Sequence, residues 1–150
     1  VSTPQHTFAL PGTAVPGVNV SFRKTLSESD VYLFAGVTGD FSPNHVDEEF
    51  MKGTPYGGRI AHGALLVGLT SRASTMMIEH LGASAVSYGY DRIRFLRGVR
   101  IGTTLTVTYT LTRVDEEARK TFADVTVTDQ DGALCAVAEH ILKFFTTQEG

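Results

Sequence analysis

Asp40 and His45 stand five residues apart in the segment GDFSPNHVD, across a turn containing Ser42, Pro43 and Asn44. A carboxylate and an imidazole brought together can do general acid–base chemistry, one taking a proton while the other orients or returns it. Pro43 narrows the turn, and Ser and Asn side chains can bond local backbone groups and fix its geometry. The same residue types also make an ordinary turn, so the pair gains meaning only from its surroundings. A second segment supplies some of these: GGRIAHG, residues 57–63, runs straight into a long apolar stretch. A helix beginning there has free N–H groups at its start, that of Gly63 above all, and its dipole favours negative charge at that end. Gly63 has no side chain to block an approaching oxyanion. Taken alone, Gly57, Gly58 and Gly63 serve turn geometry and close packing equally well.

Other residues with chemistry to offer fall into place around these. His62 orients the loop or caps the turn, and with Ala61 and Gly63 it makes up the candidate oxyanion and substrate-binding set. His6, His80 and His140 have no metal-ligand spacing, so no metal site is expected. Ser42 and Ser71 lack the His/Asp company of a nucleophile, and Cys135, the only cysteine, reads as a small strand residue. Arg72 is the odd cation: it falls within the apolar stretch, where a charge needs a partner.

The elements that must position these groups follow from periodicity. The first sixteen residues hold three prolines and read, as residues 1–17, as an arm on the surface or on a partner subunit. Residues 18–150 form one domain. A short strand is expected over 18–24, then a helix capped by Ser27, with Asp30 placed as in a capping box, and stopped by Gly39. Residues 40–61 are a long excursion with one helical turn near 47–52, the kind of irregular segment that carries function. The proline-free run to Leu81 is apolar on several sides and predicts a helix buried almost all round, stopped by Gly82. Thereafter the period becomes two, over 84–97, 103–114, 120–128 and 133–146, which predicts four hairpin-linked strands in an antiparallel meander. One long helix inside such a curved sheet is an α+β architecture, the hot-dog fold.

Composition narrows the functions. A chain of 150 residues, 42% of them hydrophobic, suits one domain with a sizeable core. With 13 basic and 16 acidic residues and a net charge of −3, nucleic acid is not an expected partner. No apolar run approaches the roughly 18 to 20 residues of a membrane helix, and VSTPQHTFALPGT lacks a basic end followed by an apolar block, so export is not expected. A lone cysteine fits a reducing, cytoplasmic setting.

Together GDFSPNHVD, GGRIAHG with its apolar helix, and YDRIRFLRGVRIGTTL resemble the MaoC-like hydratases, the (R)-specific enoyl-CoA hydratase or hydratase 2 family. The resemblance covers most of residues 20–145. It implies that Asp40 and His45 are the catalytic pair, that the Gly63 N–H polarises the thioester carbonyl, and that the chain pairs into a homodimer. It further implies a trans-2-enoyl-CoA substrate hydrated to the (R)-3-hydroxyacyl-CoA, with no cofactor beyond the coenzyme A carried by the substrate. Two positions depart from the family. Gly68 stands where some members have a serine that helps position the aspartate, and Gly98 stands where proline is common, a change expected to affect only a turn. Arg59, Arg72, Arg94, Arg97 and Arg100 could meet coenzyme phosphates or a substrate carboxylate, though alternating arginines on a strand are usually solvated. Alternatives are a hydratase of branched or dicarboxylic enoyl-CoA of mesaconyl or itaconyl type, an acyl-carrier-protein substrate, a hot-dog thioesterase, and a non-catalytic acyl-CoA-binding module.

Overall fold

A computed structural model describes residues 8–147; His6 and the first seven residues of the arm lie outside them. The chain runs β1 (Asn19–Thr25), α1 (Glu28–Thr38), α2 (Pro43–Val46), α3 (Glu48–Lys52), α4 (Gly63–Leu81), β2 (Ser84–Phe95), β3 (Thr104–Asp115), β4 (Lys120–Thr128) and β5 (Leu134–Phe145). The five strands make one antiparallel sheet in the order β1-β3-β4-β5-β2, with α4 packed against its inner face.

Alternation decides which face is inner. Along β3 the side chains of Leu105, Val107, Tyr109 and Leu111 are buried, while the intervening threonines are not. On β4 Thr121, Ala123, Val125 and Val127 do the same. Against them α4 sets Leu66, Thr70, Ala73, Ser74, Met77 and Leu81, a stripe at steps of three and four that keeps one helix face on the sheet. The expected all-round burial of α4 is therefore not found in the single chain: Ala64, Gly68, Ser71, Arg72 and Thr75 are exposed, because a single sheet can cover only one face of a helix. Arg72 finds a partner that is not a carboxylate, its guanidinium lying 4.5 Å from the centre of the Phe22 ring.

The ends of the helices follow their caps. Ser27 and Asp30 close a reciprocal capping box on α1, and Gly39 ends it in the left-handed region at φ 80°. Gly82 does the same for α4.

The expected four-strand meander needs correcting. Only β3, β4 and β5 are joined by hairpins, and β2 lies at the far edge beside β5. Residues 98–102 make no hairpin because their backbone groups are engaged elsewhere: Arg100 bridges to Ile60, and Gly102 donates to the carbonyl of Leu26 at 2.7 Å. The segment carries the chain from β2 at one edge of the sheet to β3, which lies beside β1 at the other. The described part of the arm packs on the body, with Leu10 buried in the core and its N–H donating to Glu116 at 3.0 Å.

One polar cluster lies beneath α4. Tyr109 is fully buried, and its hydroxyl lies 2.8 Å from His140 Nδ1. That nitrogen is its only partner among the described residues, so the hydroxyl donates to Nδ1. Nε2–H then donates to Ser87 Oγ at 2.7 Å. Burial lowers the His140 pKa from its ordinary 6.5 to about 4. Burial also pushes the Cys135 thiol up, which leaves it a poor nucleophile.

Candidate active site

The left-handed turn at Gly39 delivers Asp40 immediately beyond α1. Thr38 Oγ1 accepts from the Asp40 N–H at 3.2 Å, and Asp40 Oδ1 accepts from the Ser42 N–H at 3.2 Å, an Asx turn that fixes the carboxylate. Pro43 then opens α2, a position that suits a residue without an N–H. This short helix was not read from the sequence. Within it His45 points inward and is buried.

Residues 57–63 lie against this turn and complete the site. The Ile60 N–H donates to the Asn44 carbonyl at 3.0 Å, and the Ile60 carbonyl accepts from His45 Nδ1 at 2.7 Å. Since a carbonyl only accepts, the His45 proton sits on Nδ1, leaving Nε2 to face Asp40. The distance from Nε2 to Asp40 Oδ2 is 3.9 Å, too long for a direct hydrogen bond and suited to an oxygen atom held between the two.

His62 joins both members of the pair. Its Nε2–H donates to the Asp40 carbonyl at 2.9 Å, and its ring stacks on His45 with centroids 3.7 Å apart and planes 23° from parallel. Its Nδ1 is buried without a partner among the described residues, a cost folds normally avoid away from functional sites. Asp40, His45 and His62 thus gather three potential ligand atoms within 4.8 Å, yet the stack argues against a shared ion. Imidazole binds a metal in its ring plane at about 2.0–2.1 Å, and no point satisfies that for two nearly parallel rings 3.7 Å apart.

Gly63 is the first residue of α4, and its N–H has no acceptor among the described residues. A side chain there would collide with Phe95, whose ring carbons lie 2.6–2.9 Å from where a Cβ would sit. The Ala61 N–H, by contrast, is taken by the Val99 carbonyl at 2.7 Å, so Ala61 anchors the loop and has no donor to offer. Gly68 is exposed, with nothing from outside its own helix turn within 4 Å of a would-be Cβ. Gly98 does more than shape a turn, because the Tyr56 ring occupies the position of its missing Cβ.

Arg59 is committed to structure. Its Nε bonds Glu48 and its Nη1 bonds Glu28, each at 2.6 Å, which ties α1 and α3 to the loop and holds the Glu48 carboxyl below its usual range. Arg92 pairs with Glu139 at 2.6 Å, and Arg100 lies over the backbone of Gly58. Neither Phe95 nor the Arg59 clamp was read from the sequence. The only signal for Phe95 is its place at the end of a strand whose inward residues are otherwise hard to assign.

Residues 13–133 match the family model described as the MaoC like domain. An (R)-specific enoyl-CoA hydratase of Rhodospirillum rubrum is 40% identical over 103 residues, 69% of each chain. A 3-hydroxyacyl-thioester dehydratase Z of Mycobacterium tuberculosis is 33% identical over 125 residues, covering 80% of this chain and 83% of that protein. Among solved structures, an (R)-hydratase from A. caviae superposes with a TM-score of 0.77 at 25% identity, over 86% of this chain and 96% of that one. The sheet and central helix described above are accordingly a hot-dog fold.

Proposed function

Because the chain belongs to the MaoC-like domain family, we propose that it reversibly hydrates a trans-2-enoyl-CoA to the (R)-3-hydroxyacyl-CoA, with Asp40 and His45 as its acid–base pair. The observation that carries this reading is the 3.9 Å gap between Asp40 Oδ2 and His45 Nε2, held from both sides by backbone hydrogen bonds and adjoining a helix that begins with an unpaired N–H.

In the hydration direction a water bridges the carboxylate and the imidazole. Its oxygen bonds to C3 of the enoyl group, one of its protons passes to the pair, and a proton is returned to C2, so that H and OH add across the double bond. Negative charge builds on the thioester oxygen as C3 is attacked, and the Gly63 N–H donates to it. Dehydration runs through the same atoms in reverse. The coupled pair shares its protons, so each transfer belongs to Asp40 and His45 jointly. No further group is required beyond the coenzyme of the substrate. We place this chemistry in a cytoplasmic homodimer: Val86 and Tyr88 are 54% and 60% exposed on β2, an edge strand whose unpaired side calls for cover. No helix among the described residues is long and apolar enough to cross a membrane.

The test is loss of the conjugated-thioester absorbance of crotonyl-CoA with the native protein beside Asp40→Asn and His45→Gln variants of unchanged melting temperature. Rates should fall by roughly 100- to 10,000-fold in each variant. Unchanged rates in the folded variants would sink the pair.

A further inference from the structure

Arg59 reaches more of the site than its place in the loop requires. Its Nε and Nη1 bond Glu48 and Glu28, each at 2.6 Å, and these are the first residues of α3 and α1. Its Nη1 also donates to Tyr32 Oη at 3.2 Å, and that hydroxyl donates at 3.3 Å to the carbonyl of Val46, the last residue of α2. The Arg59 N–H adds a longer bond to Glu48, at 3.4 Å. Among the described residues Arg59 is the only cation shared by two carboxylates. Its side chain is 17% exposed, so the guanidinium sits largely out of water.

We propose that Arg59 is a positioning residue, a brace that sets Asp40, His45 and the Gly63 N–H at their working separations. This rests on the hydratase reading above. All three groups lie on segments that Arg59 joins. The helix α1 is a stiff rod of 11 residues, so a shift at Glu28 is passed to Asp40, two residues beyond its other end. Val46, tied in through Tyr32, directly follows His45. Ile60 directly follows Arg59, and its carbonyl is the acceptor at 2.7 Å that keeps the His45 proton on Nδ1. Three residues further on, Gly63 opens α4. Two carboxylates arriving from different helices need donors that point in two directions, which a guanidinium supplies and an ammonium does not. With partners 61% and 39% exposed, such pairs contribute little to overall stability, whereas a displacement of about 1 Å at reacting groups costs up to about 100-fold in rate. The brace therefore acts on geometry more than on whether the chain folds.

The experiment compares Arg59→Gln and Arg59→Lys with the native protein by crotonyl-CoA kinetics, by melting temperature and by nitrogen-15 NMR of the histidine rings. Arg59→Gln is expected to lower kcat by about 10- to 100-fold, with KM changed little and the melting temperature moved by only about 2–4 °C. Lysine should recover part of the rate. Added to Arg59→Gln, Glu28→Gln or Glu48→Gln should cost nothing further, because the bond each would break is already gone. Should Arg59→Gln fail to fold, Glu28→Gln combined with Glu48→Gln breaks the same bonds and takes its place. In the native spectrum the His45 ring should carry its proton on Nδ1, and in Arg59→Gln both tautomers should be seen in exchange. A native kcat in Arg59→Gln or Arg59→Lys, or full additivity with the glutamate changes, overturns the inference and leaves the hydratase reading standing. An unchanged His45 tautomer in Arg59→Gln overturns it as well, and does so even if the native protein hydrates no enoyl-CoA and the hydratase reading falls.

Discussion

The ring of His62 lies on the ring of His45 at 3.7 Å, while its Nε2–H holds the backbone carbonyl of Asp40 at 2.9 Å. One side chain thus fixes the two proposed acid–base groups relative to each other without facing the gap between them. It is a positioning residue, and its loss should read as misalignment.

His62→Leu is expected to lower kcat by about 10- to 100-fold, the scale of a 1 Å displacement, with KM changed little. His62→Gln, whose amide can still donate to the Asp40 carbonyl, should recover part of the loss. Equal KM and kcat effects, or no difference between the two variants, would count against this role. Steady-state kinetics on crotonyl-CoA suffice.

At Gly63 the donor and the steric requirement can be separated. Gly63→Ala keeps the N–H but meets the Phe95 ring, so its defect should be relieved when combined with Phe95→Ala. Gly63→Pro in the same background removes the N–H at a helix position where proline is tolerated, and His62 before it already has the extended conformation proline demands, at φ −59° and ψ 135°. The proline double variant should remain slower by roughly 100- to 1,000-fold, the usual worth of one oxyanion donor. If the two double variants turn over equally, the N–H has no part in the chemistry.

Stability should depend on pH through His140. Its pKa is lowered from 6.5 to about 4 by burial, so between those values the unfolded chain binds a proton that the folded chain refuses. The contribution is fully present above the unfolded pKa and is lost as pH falls toward 4, by an amount on the order of 3 kcal/mol. Urea unfolding at pH 7 and at pH 4.5 should show this decline, and His140→Gln should flatten it. A variant with the native slope would mean that other groups govern the acid side.

Assembly is tested at the β2 edge. The native chain should sediment as a dimer, and Val86→Lys combined with Tyr88→Lys should give a monomer, because identical charges would face each other across a two-fold axis. A monomeric native chain at micromolar concentration would remove the dimer from the proposed function.

How much of this was legible beforehand depended on how local the determining interactions are. The capping box at Ser27 and Asp30, the stop at Gly39 and the β4 boundaries follow from neighbouring residues, and they were read as found. The place of β2 was not, because alternation says that a strand is half-buried but not which strand it pairs with; the decisive bonds of residues 98–102 reach back to Leu26 and Ile60. The segments holding Asp40, His45 and Gly63 could be singled out by residue type. The stack of His62 on His45 could not, since it joins residues 17 apart in sequence. Phe95 was overlooked for the same reason, its role being visible only as the space that Gly63 leaves empty.

Ile60 bears on how the protein breathes. Its N–H is bonded to Asn44, its carbonyl to His45, and it forms a bridge with Arg100, while the next N–H along the chain is held by Val99. The turn that holds Asp40 and His45 therefore has no private hinge: opening it means peeling the strand-like segment 60–61 from the crossover at 99–100. Local fluctuations that would scatter a loop of this length are replaced by one cooperative event, and Asp40 and His45 keep their mutual placement for as long as that seam stays closed.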